Sequence, residues 1–98
     1  MTSKQRAFLR SIATNTETIF QIGKGGIPDS LVVQAEDAMK KRELIKLRVL
    51  ETCEYTAKEA AEILAEKTKS EVVTVIGHRF VLFKQNKNPK ERVIDIKL

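Results

Sequence analysis

The sequence predicts an α/β fold: one compact domain over residues 1–98, elements in the order α-β-α-β-α-β-β, and a mixed sheet of about four strands with three helices packed on it. Three observations lead there. Two T-x-x-[EQ] capping signatures each precede an apolar run of helical period, "ELIKLRVLE" alternates with period two, and "EVVTVIGHRFVLFK" sets two β-rich runs around Gly77-His78. Ninety-eight residues allow a single core that buries roughly 60 to 65% of the surface the unfolded chain exposes.

The elements follow in order. Thr2 and Gln5 form the first capping box, and Phe8, Leu9, Ile12 and Ala13 recur at helical spacing, so the first helix spans Ser3 to Ala13. Ile19 to Ile22 form a short strand that runs into the loop Gly23-Lys24-Gly25-Gly26. Pro28, Asp29 and Ser30 favour a helix start. Leu31, Val32, Ala35, Ala38 and Met39 give that second helix its buried stripe, and Lys40, Lys41 and Arg42 suit the negative end of its dipole. In the second strand Ile45, Leu47 and Val49 point one way, and Lys46 and Arg48 the other with Leu44 and Leu50. If the first two strands are parallel, the second helix is a right-handed crossover between them. Thr56 and Glu59 open the third helix, whose outer face carries Glu59, Glu62 and Glu66. Gly77-His78 fits a type II′ hairpin turn, and the tail is a basic loop with a short edge strand at Val93 to Ile96.

Net charge is +5, and it is segregated. Residues 1–49 hold nine Lys/Arg against five Asp/Glu (+4), residues 50–78 three against six (−3), and residues 79–98 six against two (+4). Such a field orients a polyanion, which makes nucleic acid the leading partner. Cys53 and His78, the single cysteine and histidine, cannot build a disulfide or an ordinary zinc site, and no cofactor is expected. No apolar run approaches the roughly 20 residues of a membrane span, and no signal-peptide apolar region opens the chain. A cytoplasmic protein with no membrane partner is expected.

Three glycines and a lysine in four positions admit three explanations: a tight turn, a nucleotide phosphate cradle, or a loop lying against a nucleic-acid backbone. The nucleotide motifs fail on residues. No Gly-Lys is followed by Ser or Thr at P-loop spacing, and the dinucleotide fingerprint needs glycine where Pro28 stands. What remains is G-x-x-G before a helix N-terminus, where glycines let phosphate approach the main chain and Lys24 adds a positive charge. Alone, the motif fits a tight turn better than a phosphate site.

A resemblance shifts that balance. "SKQRAFLRSIA", "IFQIGKGGI", "RELIKLRVL", "VVTVIGHRFVLFK" and "NPK" occur in the order seen in the CRM domain family (chloroplast RNA splicing and ribosome maturation), and the chain resembles its bacterial stand-alone YhbY-like members most. Two departures are visible: "TNTET" stands where the family often has a His-His-Leu-x-Pro-like stretch, and Arg42 where it often has histidine. The resemblance implies a fold similar to the C-terminal domain of translation initiation factor three. It also implies association with structured rRNA of precursor large ribosomal subunits, and RNA contact by the loop Gly23 to Gly26, as in KH domains.

The candidate RNA-binding residues are thus Gly23, Lys24, Gly25 and Gly26 with the cations Lys4, Arg6, Arg10, Arg42, Lys46, Arg48, Arg79 and Lys84. Arg6 and Arg10 lie one turn apart on one helix face. Each cation outside the loop also fits ordinary solvated surface, and Arg79, Lys84, Lys87 and Lys90 fit the protection of an edge strand and tail. The phenylalanines fall on apolar-periodic positions, which argues against an aromatic base-stacking platform and for backbone recognition. No Ser/His/Asp or Cys/His set suggests catalysis, so a binding module, acting as a monomer on rRNA, is expected rather than an enzyme. The alternative is a protein-interaction adaptor whose basic face meets an acidic or ribosomal protein partner.

Overall fold

The computed structural model describes residues 1–98, ordered α1 (Ser3–Thr14), β1 (Thr18–Ile22), α2 (Asp29–Arg42), β2 (Leu44–Val49), α3 (Ala57–Thr68), β3 (Glu71–Ile76) and β4 (Arg79–Phe83), with a 3-10 turn at Pro89–Glu91. Both capping boxes close. Thr2 Oγ1 accepts from the Gln5 N–H at 3.1 Å and Gln5 Oε1 from the Thr2 N–H at 2.7 Å; Thr56 and Glu59 repeat the pair at 3.1 and 3.0 Å. Each cap stabilises its helix by about 1 kcal/mol. Hydrogen bonds from Thr56, the backbone one first and the side-chain one second, hold the Glu59 carboxyl below its ordinary range. Its share of the cap is therefore present near neutral pH and lost as pH falls through that lowered value.

The strands form one sheet in the order β1-β2-β4-β3, with β1 and β2 parallel and the other pairs antiparallel. Parallel pairing of strands adjacent in sequence requires a crossover, and α2 supplies it. Alternation in β2 then sorts side chains to two faces. Ile45, Leu47 and Val49 enter the larger core with Leu31, Ala35 and Met39 of α2, Ala60, Ala61 and Leu64 of α3, and Phe80 and Leu82 of β4. Leu44 faces the other way, into a smaller core with Leu9, Ala13, Val73, Val81, Phe83 and Ile94. Burying each of Phe80 and Phe83 contributes roughly 1.5 to 3 kcal/mol.

The two faces are unequally covered, and that asymmetry positions the site. α2 and α3 cover one face. On the other, α1 alone packs over β2 and β3, with the tail beside it. A helix of 12 residues is about 18 Å long and about 10 Å wide, too little to roof four strands spaced about 4.8 Å apart. Part of that face is left open.

The tail differs from expectation. Val93–Ile96 is not a strand, because its backbone donors are taken by a side chain instead of a neighbouring strand. The fully buried Glu43 carboxylate accepts from Val93 N–H at 2.7 Å and Ile94 N–H at 2.8 Å on Oε1, and from Asn86 N–H at 2.6 Å on Oε2. Glu43 sits at the end of α2 with φ 62°, a conformation unusual for a side chain of this size, and its carbonyl accepts from Lys84 N–H at 2.9 Å. Asn86 adds bonds to the Lys40 and Glu91 carbonyls, both at 2.9 Å. The hairpin does meet expectation: Ile76 pairs with Arg79, and Gly77 takes φ 59° as the first turn residue.

Candidate nucleic-acid interface

The glycine loop is built at the end of the sheet where β1 and β2 finish together. Ile22 pairs with Val49, and the Leu50 N–H donates to the Ile22 carbonyl at 2.8 Å. The chain then reverses. Gly26 N–H donates to the Gly23 carbonyl at 3.0 Å, closing a tight turn with Lys24 and Gly25 exposed at its apex. The turn explains Gly26, which adopts φ 66°, a value a side chain would oppose. It does not explain Gly25, whose φ is not positive and where an added Cβ would meet nothing within 4 Å. A tight turn and an exposed backbone protrusion coexist here.

Beside the loop lies the open sheet face. Register places Gln21 opposite Arg48, Arg48 opposite Arg79, and Arg79 opposite Ile76, one row across all four strands. The next row holds Lys46, Val81 and Thr74. That Lys46, Arg48 and Arg79 share the α1 side follows from alternation with Leu44, Val81 and Phe83, which pack against Leu9. Arg10 and Thr14 of α1 complete the wall. Lys46 Nζ donates to the Ala13 carbonyl at 3.2 Å, fixing its position while leaving two of its three donors. Two arginines directly opposite each other repel, at a cost of roughly 0.2 to 1 kcal/mol to the fold.

Other predicted cations are placed apart from this cluster. Arg6 turns inward: its Nη1 donates to the Val72 carbonyl and, at 3.4 Å, to that of Val73. These carbonyls sit at a bulge in edge strand β3, so Arg6 satisfies acceptors that the irregular pairing frees. Lys84 Nζ donates to the Thr68 carbonyl at 2.9 Å, neutralising the C-terminal end of α3. Arg42 ends α2 at the opposite end of the strands from the loop, where Leu44 pairs with Phe83. Lys4 is exposed in the first turn of α1, about 9 Å along the axis from Arg10. The cluster that forms on the open face is Arg48 and Arg79 with Arg10 and Lys46; Lys24 stands apart on the loop beyond the end of β1, whose glycines neighbour Leu50, Thr52 and Tyr55. Gln21, Thr74 and Ile76 join it through strand register, for which the sequence carries no signal.

The acidic stripe lies on the far side. Glu59, Glu62 and Glu66 are exposed on α3, which packs on the sheet face opposite Arg48 and Arg79. No three His, Cys, Asp or Glu side chains come together in a group that could hold a metal ion, and no helix is long and apolar enough to cross a membrane.

Comparison with known proteins places the chain in a family. The model of the CRS1/YhbY (CRM) domain matches residues 1–84. A Bacillus subtilis protein named "Probable RNA-binding protein YqeI" is 43% identical over 91 residues, covering 93% of this chain and 95% of the relative. A Methanocaldococcus jannaschii protein named "Probable RNA-binding protein MJ0652" is 33% identical over 103 residues, covering 95% and 76%. The solution structure of the hypothetical protein SAV1595 from Staphylococcus aureus superposes with a TM-score of 0.76 at 47% identity, covering 94% of this chain and 96% of that one. These relatives are named for binding, not for a reaction. With the family model spanning most of the length and the fold shared with a solved structure, the chain belongs to the CRS1/YhbY (CRM) domain family.

Proposed function

We propose that this protein binds structured RNA through the Gly23–Gly26 turn and the open sheet face beside it, and that its target is rRNA of the precursor large ribosomal subunit. It acts as a monomer in the cytoplasm, holding immature rRNA during assembly. One observation carries the reading: Arg48 and Arg79 stand directly opposite each other on an open face next to an exposed glycine turn. Repulsion between them opposes folding, and a polyanion laid across the sheet relieves it. The RNA-binding names of the relatives support the same partner.

Recognition is of the backbone. Phe80 and Phe83 are buried, and Phe8, which the helical spacing suggested was covered, is exposed as a lone aromatic on α1, so the face presents no aromatic platform for successive bases. Phosphate contact by Lys24, Arg10, Arg48 and Arg79 gives a log–log salt slope of about −3 to −4.

Binding to large-subunit rRNA fragments and to matched duplex DNA across a salt series tests the reading. RNA preference with that slope is expected, and Lys24→Ala should flatten the slope by about 1 without moving the melting temperature. Gly25→Ala separates turn from contact. The fold has room for the methyl group, so stability should hold or rise by a few tenths of a kcal/mol while RNA affinity drops. Unchanged affinity in both variants would reduce the loop to a turn. Tight binding to a ribosomal protein with none to naked rRNA would move the function to an adaptor.

A further inference from the structure

Between the last turns of α1 and strands β3 and β4 lies a cleft of about 300 Å³. Ala13, Val81, Ile76 and Thr74 line it, and Arg10, Lys46 and Arg79 are the charged residues of its lining. No carboxylate lines it. Two features stand out beyond the cationic face already described. First, the cleft is apolar inside and positive around, where a phosphate-tracking groove would be polar throughout. Second, Ile76 is 70% exposed, a large apolar side chain left in water directly opposite Arg79. Neither feature serves the fold.

We infer that this cleft is a subsite for one unpaired nucleotide of the bound RNA: the base enters between the Arg10 and Arg79 guanidinium planes over Ala13, Val81 and Ile76, and its flanking phosphates meet Lys46 and the Arg48–Arg79 row. The inference rests on the RNA reading of the same face and adds the structural element that face selects, a bulged or splayed-out nucleotide beside duplex. The size fits one ring system, since the volume is at the small end of ligand pockets. The chemistry fits a base. Unstacked bases are held on guanidinium planes as well as on aromatic rings, and a base has apolar faces that no sugar or phosphate offers. Lys46 is pre-positioned by its bond to the Ala13 carbonyl, so its remaining donors are aimed at little entropic cost. A flat duplex surface could not fill the cleft, so contact with paired RNA alone leaves Ile76 exposed.

The test uses three RNA hairpins of one sequence: fully paired, with a single-nucleotide bulge, and with an abasic residue at that bulge. The full chain is titrated with each at fixed salt. The bulged hairpin is expected to bind roughly tenfold more tightly than the other two, as loss of one base contact predicts. Thr74→Leu, which fills the cleft while keeping every cation, should remove that preference, and a bulge preference that survives it would overturn the subsite. Equal binding of the abasic and base-bearing bulges by the wild-type chain would overturn the subsite while leaving the backbone-binding reading intact. Failure to bind any of the hairpins would overturn both.

Discussion

Arg48→Gln combined with Arg79→Gln is expected to weaken RNA binding by roughly a hundredfold at about 0.1 M salt while leaving the fold slightly more stable. Each charge-assisted contact contributes about 1.5 kcal/mol or more, and losing two should reduce the salt slope by about 2. The stability gain has a separate cause. The arginines face each other across β2 and β4, and removing a like-charge cross-strand pair should return roughly 0.2 to 1 kcal/mol. Opposite signs for folding and binding identify residues retained for a ligand. Thermal melts and RNA titrations on the same samples read both. A destabilised double variant with wild-type affinity would mean that the pair serves the fold.

Glu43→Ala should produce the largest loss of stability in the molecule and act at the other end of it. The carboxylate is fully buried and accepts three backbone N–H groups, from Asn86, Val93 and Ile94. Alanine leaves them unpaired and retains the unusual backbone conformation at φ 62°. Unsatisfied buried donors cost about 1 to 3 kcal/mol each, and partial opening of the tail to water limits the total to about 3 kcal/mol. For a domain of this size the melting temperature falls by about 12 to 24 °C. RNA binding measured well below that temperature should survive, because the clip lies at the end of the strands opposite the glycine loop. A shift of less than about 5 °C would show that the tail holds itself without Glu43.

The importance of Glu43 is invisible in the sequence, and the reason is physical. Its partners lie 43 to 51 residues away, and a glutamate at the end of a helix looks like any solvated one. The same blindness produced the expectation of a strand at Val93–Ile96. Apolar residues around Asp95 suggest alternation, but a strand also needs a neighbour with free donors and acceptors, and here a carboxylate claims the N–H groups of Val93 and Ile94. Local rules succeeded where their partners were local. Thr2 with Gln5 and Thr56 with Glu59 close within three residues, and the two faces of β2 follow from period two alone.

The binding face was legible in part for the same reason. Lys24 is marked by its glycines, and Lys46 and Arg48 by opposing the apolar face of their strand. Whether a long cation stays in water or folds back on a carbonyl depends on tertiary placement. Arg6 and Arg10 share a helix face, yet one satisfies the β3 bulge and the other lines the open cleft. The facing of Arg48 and Arg79 required strand order, which separates parallel β1-β2 from the β3-β4 hairpin and which no pattern in the chain encodes.

An NMR titration of the labelled protein with a large-subunit rRNA fragment, following backbone amides and arginine side chains, bears most directly on the claim that the glycine turn and the open sheet face form the RNA surface. Shifts confined to residues 21–26, Lys46, Arg48, the 76–81 hairpin and the last turns of α1, with Glu59, Glu62 and Glu66 silent, are the predicted result. Shifts centred on α3 or on the Arg42 end of the strands, with Lys24 and Arg79 unmoved, would contradict it.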